Sequence, residues 1–136
     1  MGAIAEGLLV LRYARAALIF CIGREFMKID ILGTEYMLIA SQESKEPRLK
    51  DCDGLCDETV KELLVDSYAG SESDPTCKKN LAVQIRKNKR HEIIHAFLFE
   101  SGLAENSGWA QNEEMVDFFA IQSPKLLKAF QQADAI

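Results

Sequence analysis

The sequence predicts an α+β domain in which a small N-terminal sheet is followed by helices. Residues 28–40 alternate between apolar and polar side chains, which is typical of strands with one buried face. Residues 76–101 form a long uninterrupted stretch bounded by a proline before it and a glycine after it, which favours one long helix. Strands first and helices afterwards is the layout of an α+β domain. A chain of 136 residues suits one domain with a modest core.

The sheet is expected to contain three strands. KIDIL (residues 28–32) and TEYMLIA (34–40) form a predicted hairpin that turns at Gly33-Thr34. Residues 41–54 are polar and include Pro47, so they are interpreted as a loop. The periodicity of VKELLVDSY is ambiguous, but after the turn-rich CDGLCDET a third strand from Val60 to Asp66 is favoured over a short helix.

Three helices are predicted after the sheet. Asp74 is the expected N-cap of a helix from about Thr76 to Ser101, with Pro75 in its first turn and Gly102 as its C′ residue. Its last turns are apolar nearly all round, which indicates a buried central helix. LAENSGWAQ is interpreted as a loop. A second helix is expected from Asn112 to Ile121, and a third from Pro124 to about Gln132.

Charge, hydropathy and cysteine content exclude several classes of protein. The net charge of −5 argues against a general nucleic-acid-binding protein. The longest clean apolar run, residues 16–23, is far shorter than a membrane span, so no membrane partner is expected. Four cysteines are too few for a disulfide scaffold at this length, and they fit a reducing cytoplasm better. The sequence predicts no particular oligomeric state.

The first 26 residues differ in character from the rest. They are apolar but interrupted by Arg12 and Arg15, and they lack the basic start and cleavage site of a secretory signal. Met27 then opens the first strand, so it is a candidate for the natural start of the protein. We therefore interpret residues 1–26 as an N-terminal extension and residues 27–136 as the single domain.

The two histidines of the chain lie in the phrase HEIIH, residues 91–95. On a helix His91 and His95 stand one above the other, so both imidazoles can bind one metal ion. Glu92 lies about 100 degrees round the helix axis, beside the ion, where a general base is needed. A catalytic zinc ion needs a third protein ligand and an open position. With no histidine left, that ligand must be a carboxylate or a thiolate.

The phrase NEEMVD, residues 112–117, resembles the second helix of the gluzincins, thermolysin-like zinc proteases that carry Asn-Glu-x-x-x-Asp there. The resemblance implies a zincin-like fold and Zn²⁺ as the cofactor, with Glu113 as third ligand beside the two histidines. It also implies that Asn112 and Asp117 orient the imidazoles through their free ring nitrogens. Glu114 is the alternative ligand if the helical phase differs by one residue.

From Met27 to about Phe130 the chain is similar to small metallopeptidase-like proteins encoded by bacteriophages and prophages. This resemblance implies a minimal gluzincin acting on a narrow range of peptides or proteins in the bacterial host cytoplasm. Glu92 would take a proton from zinc-bound water and pass it to the leaving amine. Such enzymes usually bind an extended peptide along an edge strand, for which Val60–Asp66 is the candidate.

Oxyanion stabilisation is the point at which the chain departs from the thermolysin-like pattern. Those enzymes use a further histidine and a tyrosine, and this chain has no third histidine. Tyr36, Tyr68 and Arg90 are the candidates to replace them, and nothing in the sequence selects among the three.

Two alternatives remain beside the general metallopeptidase. Cys52 and Cys56 could join His91 and His95 in a closed Cys₂His₂ zinc site, making the protein a zinc-stabilised interaction module. The 34-residue spacer and the idle Glu92 count against this. The second alternative lies within the enzyme class. The phrase EEMVDFFA is similar to a stretch of phage-element proteases that cleave repressors, and this resemblance implies a repressor-like protein as the specific substrate.

Overall fold

The computed structural model describes residues 25–136, so nearly all of the expected N-terminal extension lies outside the described residues. The strands are β1 (Glu25–Ile31), β2 (Thr34–Ser41), β3 (Gly54–Asp57) and β4 (Glu62–Asp66). The helices are α1 (Leu81–Glu100), α2 (Leu103–Asn106) and α3 (Glu113–Gln132), with 3₁₀ turns at Pro47–Leu49 and Gly108–Gln111. The expected α+β class is confirmed. No helix in the described part is long and apolar enough to cross a membrane.

The predicted hairpin is present, but its turn is Leu32-Gly33, one residue earlier than the predicted Gly33-Thr34. β1 and β2 pair antiparallel, with Ile31 opposite Thr34 across a two-residue turn. Leu32 and Gly33 both have positive φ, at 50° and 86°, which is the conformation of a type I′ turn. Along β2, the side chains of Tyr36, Leu38 and Ala40 are buried in alternation, which confirms the expected single buried face.

The strand order β1-β2-β4-β3 corrects two predictions about the sheet. Residues 54–57, for which the sequence indicates a turn, form strand β3 and pair antiparallel with β4. The predicted third strand is present as β4, but it lies between β2 and β3 and is not the edge strand. Leu63, Leu64 and Val65 of β4 are all fully buried, as expected for a central strand covered on both faces.

Helix α1 begins later than the sequence indicates. Its N-cap is Asn80, whose side chain accepts a hydrogen bond from the Val83 amide at 3.1 Å. The predicted N-cap, Asp74, instead accepts from the backbone amide and hydroxyl of Thr76 in a separate turn. The C-terminal end agrees with the prediction, because Gly102 follows the cap with a positive φ of 80°.

The expected break before Pro124 does not occur, since α3 is one continuous helix. Proline has no N–H, so the carbonyl four residues earlier, that of Ala120, loses its usual helical donor. Arg90 of α1 replaces it, since its Nε donates to Ala120 O at 2.5 Å. The proline is therefore accommodated by a contact between two helices.

The layers place α1 at the centre of the domain. One face of α1 packs on the sheet, where Ala96 joins a cluster of buried residues from β1, β2 and β4. Another face packs on α3, and a second cluster joins Leu98 of α1 to Ala104, Ala110 and Val116. The predicted central position of the helix is confirmed, but only four of its residues are buried, and Phe97 in its last turns is exposed. The part of α1 between β3 and α3 contacts both elements.

Candidate metal centre

Three potential ligand atoms converge between α1 and α3. His91 Nε2 lies 3.0 Å from Glu113 Oε2, His95 Nε2 lies 3.2 Å from Glu113 Oε1, and the two imidazole Nε2 atoms are 3.2 Å apart. Ligands about 2.0–2.1 Å from a tetrahedral zinc ion are separated by about 3.3 Å. The two imidazole nitrogens are close to that separation, and each lies at a similar distance from one of the two carboxylate oxygens of Glu113, so the three side chains are close enough to share one ion. Glu114, the alternative ligand, is outside the group.

The positions of the ligands follow from the two helices that carry them. His91 and His95 are one turn apart on α1 and stack on the same side. Glu113 is the first residue of α3, where the free N–H groups of a helix favour a carboxylate. Lys87 contacts Asp117 while His91 contacts Glu113, so the two helices run antiparallel at the site.

Asp117 takes the orienting position that the resemblance implies. Its Oδ1 lies 3.2 Å from His91 Nδ1, so a ring that donates from Nδ1 presents the lone pair of Nε2 to the metal position. Lys87 Nζ donates to the same oxygen at 2.8 Å. This ammonium group and His91 lower the pKa of Asp117, so the carboxylate stays charged. For His95, burial lowers the pKa and favours the neutral ring that binds metal.

Asn112 is used differently from the expectation. It is the N-cap of α3, and its side-chain oxygen accepts a hydrogen bond from the Met115 amide at 2.8 Å. Among the described hydrogen bonds, none joins Asn112 to either imidazole. The residue therefore begins the ligand helix and orients no histidine directly, because the amide N–H groups at the helix start compete for its oxygen.

Glu92 lies inside the site and not on its surface. It is only 6 % exposed, and burial together with the charge of Glu113 raises the pKa of its carboxyl to about 8. Gly54 of β3 approaches this carboxyl closely, since a Cβ built on it would lie 2.5 Å from Glu92 Oε1. Sequence reasoning missed Gly54. A glycine in a strand often marks close approach of another group, but the sequence indicates a turn here and gives no sign of the strand that Gly54 begins.

A cavity of about 290 Å³ opens at the candidate metal centre. Its walls come from β3, α1, α2 and the 3₁₀ turn before α3. Beside His91, Glu92, His95 and Glu113 they comprise Gly54, Leu55, Cys56, Phe99, Ala104, Ala110 and Gln111. The edge strand is thus part of the cavity wall, whereas β4, the strand predicted for this place, is not.

None of the three residues considered for oxyanion stabilisation lines this cavity. The buried Tyr36 donates its hydroxyl to Glu100 at 2.7 Å. The Tyr68 hydroxyl donates to Asp53 at 2.6 Å. Arg90 is bound to the α3 backbone, as described above. Each of these side chains has a partner that holds it elsewhere in the fold.

The rival Cys₂His₂ site is not assembled in the described part of the chain. The group of converging ligand atoms contains His91, His95 and Glu113 but neither Cys52 nor Cys56. The Cys52 thiol donates to the Arg48 carbonyl at 3.5 Å. Cys56 packs beside the core of the sheet, and burial raises the pKa of its thiol to about 12. Both cysteines are free thiols.

The site brings together side chains that could hold a metal ion. Two imidazole nitrogens and a carboxylate oxygen lie within 4.8 Å of one another, and the three residues that carry them line the cavity. A buried carboxyl, that of Glu92, lines the same cavity and is not one of the three potential ligands.

Comparisons of the chain with protein-family models, with curated proteins and with solved structures found no match.

Proposed function

We propose that this protein is a zinc-dependent peptidase of the minimal gluzincin type. His91, His95 and Glu113 are the ligands, and Glu92 is the general base. The observation that carries the proposal is the convergence of three potential ligand atoms, all within 4.8 Å of one another, in the wall of a cavity that Glu92 also lines. The resemblance of HEIIH and NEEMVD to gluzincin helices supports the same assignment.

The proposed chemistry divides between the ion and the side chains. Zinc, when bound, lowers the pKa of a coordinated water to about 7 and polarises a carbonyl group. Glu92 accepts the proton of the attacking water and passes it to the departing amine. Its place directly after His91 on α1 puts it beside the ligands and leaves it free for this role.

Strand β3 is the proposed docking edge for the substrate. It pairs with β4 on one side, and Gly54, Leu55 and Cys56 line the cavity. An extended peptide can add to such an edge through main-chain hydrogen bonds. The small cavity favours a narrow range of peptide or protein substrates. The resemblance to phage and prophage proteins supports the bacterial cytoplasm as the place of action.

The first experiment measures zinc affinity in two matched variants, Glu113→Gln and Glu114→Gln. The two changes remove the same charge from adjacent positions of α3, and only the first removes a ligand. We expect Glu113→Gln to weaken binding by more than about 100-fold, since a lost ligand should exceed the effect of a lost orienting partner. Glu114→Gln should match the wild type. Equal loss in both variants would contradict the ligand assignment.

The second experiment tests catalysis. Wild type and Glu92→Gln, both loaded with zinc, are compared on a library of quenched fluorogenic peptides. The amide cannot accept a proton, so we expect hydrolysis to fall by about 100-fold to 10,000-fold, the usual contribution of a general base. Zinc content measured in the same samples must be equal. Hydrolysis at the same rate by both proteins would remove Glu92 from the mechanism.

A further inference from the structure

Gly54 occupies a position in β3 where a side chain fits only if Glu92 moves. A Cβ there would lie 2.5 Å from Glu92 Oε1 and 3.0 Å from both Cδ and Cγ of Glu92. Carbon atoms in normal contact are about 3.5–4.0 Å apart. The backbone of Gly54 is in the strand and outside the left-handed region, so glycine is needed there for space and not for its conformational freedom.

The contact with β3 limits where the Glu92 carboxyl can lie. Glu92 is almost fully buried, and within residues 25–136 its carboxyl accepts no hydrogen bond that would fix its orientation. The close approach of the Gly54 backbone is therefore a boundary of the space in which the carboxyl sits. Gly54, Glu92 and the three proposed ligands all line one cavity, so the ligand group is the other neighbour of that space.

We propose that Gly54 is a positioning residue for Glu92, placing the carboxyl for proton transfer by leaving it room against the edge strand. The proposal rests on the proposed function. The group that would give way to a Cβ is the end of a flexible side chain, since Oε1 is the nearest atom. A methyl group at position 54 should therefore displace the carboxyl by about 1 Å and leave the strand in place.

Such a displacement affects proton transfer more than binding. A general base must reach its proton within about 2.6–3.2 Å, and a misplacement of about 1 Å can cost about 100-fold in rate. The three atoms nearest to a Cβ at Gly54 all belong to Glu92 and none to a proposed ligand, so the metal position should be unaffected. The peptide would still meet the backbone of β3. We therefore expect a loss in kcat with little change in KM or in zinc affinity.

The test compares Gly54→Ala with Gly108→Ala in the full chain loaded with zinc. Gly108 is the matched control, because a Cβ there meets no atom within 4 Å and its φ is not positive. In Gly54→Ala we expect kcat to fall by about 100-fold, while zinc affinity and KM stay within about threefold. In a Glu92→Gln background the same substitution should cause no further loss. Equal activity of the two alanine variants, or a loss of zinc binding that parallels the loss of kcat, would overturn the proposal.

A second measurement separates failure of this proposal from failure of the proposed function. The ¹³C resonance of the Glu92 carboxyl, assigned by its disappearance in Glu92→Gln, reports the surroundings of the group without any substrate. We expect it to shift in Gly54→Ala and to stay in place in Gly108→Ala. If the wild type hydrolyses no peptide, the peptidase function fails, and an unshifted resonance in Gly54→Ala would independently refute the positioning role.

Discussion

The contact between Arg90 and Ala120 makes a quantitative prediction about how α3 is held against α1. Ala120 is fully buried, and Pro124 cannot supply the helical N–H that its carbonyl would normally accept. Arg90→Met keeps the apolar part of the side chain but removes the donor. A buried carbonyl left without a partner costs about 1–3 kcal/mol. We expect the free energy of unfolding to fall by about 2 kcal/mol, which is about 6–10 °C in Tm for a domain of this size.

Arg90→Met should also lower the zinc affinity, through its effect on the position of Glu113. This ligand is on α3, whereas both histidines are on α1, so loosening the helix pair lowers the fraction of molecules in which the three ligands are together. The loss in zinc affinity cannot exceed the free energy lost from docking. For about 2 kcal/mol the limit is about 30-fold.

The assay is chemical denaturation of four proteins: wild type, Arg90→Met, Pro124→Ala and the double variant. An alanine at position 124 has the N–H that proline lacks, so the Ala120 carbonyl gains a donor from its own helix. The cost of Arg90→Met should therefore shrink to below about 1 kcal/mol in the Pro124→Ala background. Arg86→Met, an exposed position one turn earlier on α1, is the control. The reasoning is refuted if Arg90→Met costs no more than the control, or the same in both backgrounds.

Three further variants test the site and its surroundings. Asp117→Asn should weaken zinc binding by about 10-fold in a chelator competition, at the lower end of the usual range because its side chain is 42 % exposed; unchanged affinity would remove its orienting role. Cys52→Ser/Cys56→Ser should leave the zinc X-ray absorption spectrum unchanged with nitrogen and oxygen ligands only, and sulfur scattering in the wild type would revive the Cys₂His₂ site. Tyr36→Phe removes a buried hydroxyl that donates to a carboxylate, so it should lower the free energy of unfolding by about 1–2 kcal/mol while kcat stays the same; a loss of kcat would return Tyr36 to the reaction.

The parts of the fold that follow from local pattern were predictable from the sequence. Alternation along β2 was informative because one face of that strand lies on α1 and the other does not. The spacing of Glu113 and Asp117 on one helix placed both near His91, since residues four apart share a face. Asn112 satisfied the same motif but lies at the helix start, where the backbone of α3 takes its side chain. The Asn-Glu-x-x-x-Asp motif alone does not show that the backbone of α3 competes with the histidines for the Asn112 side chain.

The parts that were missed depend on contacts between distant residues. β3 has only four residues, and its pairing with β4 decides that Gly-Leu-Cys-Asp, residues 54–57, is an edge strand and not a turn. Both Asp74 and Asn80 are good N-cap residues, and Asp74 is used by the turn at Thr76 instead. Pro124 normally ends a helix, but the rule does not foresee an arginine from another helix that replaces the missing donor.

The candidate site depends on two packing interfaces of α1, and each controls a different part of the proposed reaction. The interface with α3 brings Glu113 to the histidines, and the Arg90 contact holds it. The interface with β3 bounds the space of the Glu92 carboxyl at Gly54. The proposed ligands depend on the α1–α3 interface, and the proposed general base depends on the α1–β3 interface. Variants at the α1–α3 interface should therefore lower catalysis through a loss of metal affinity. Variants at the α1–β3 interface should lower catalysis at constant metal affinity, so experiments can separate the two roles of the HEIIH helix.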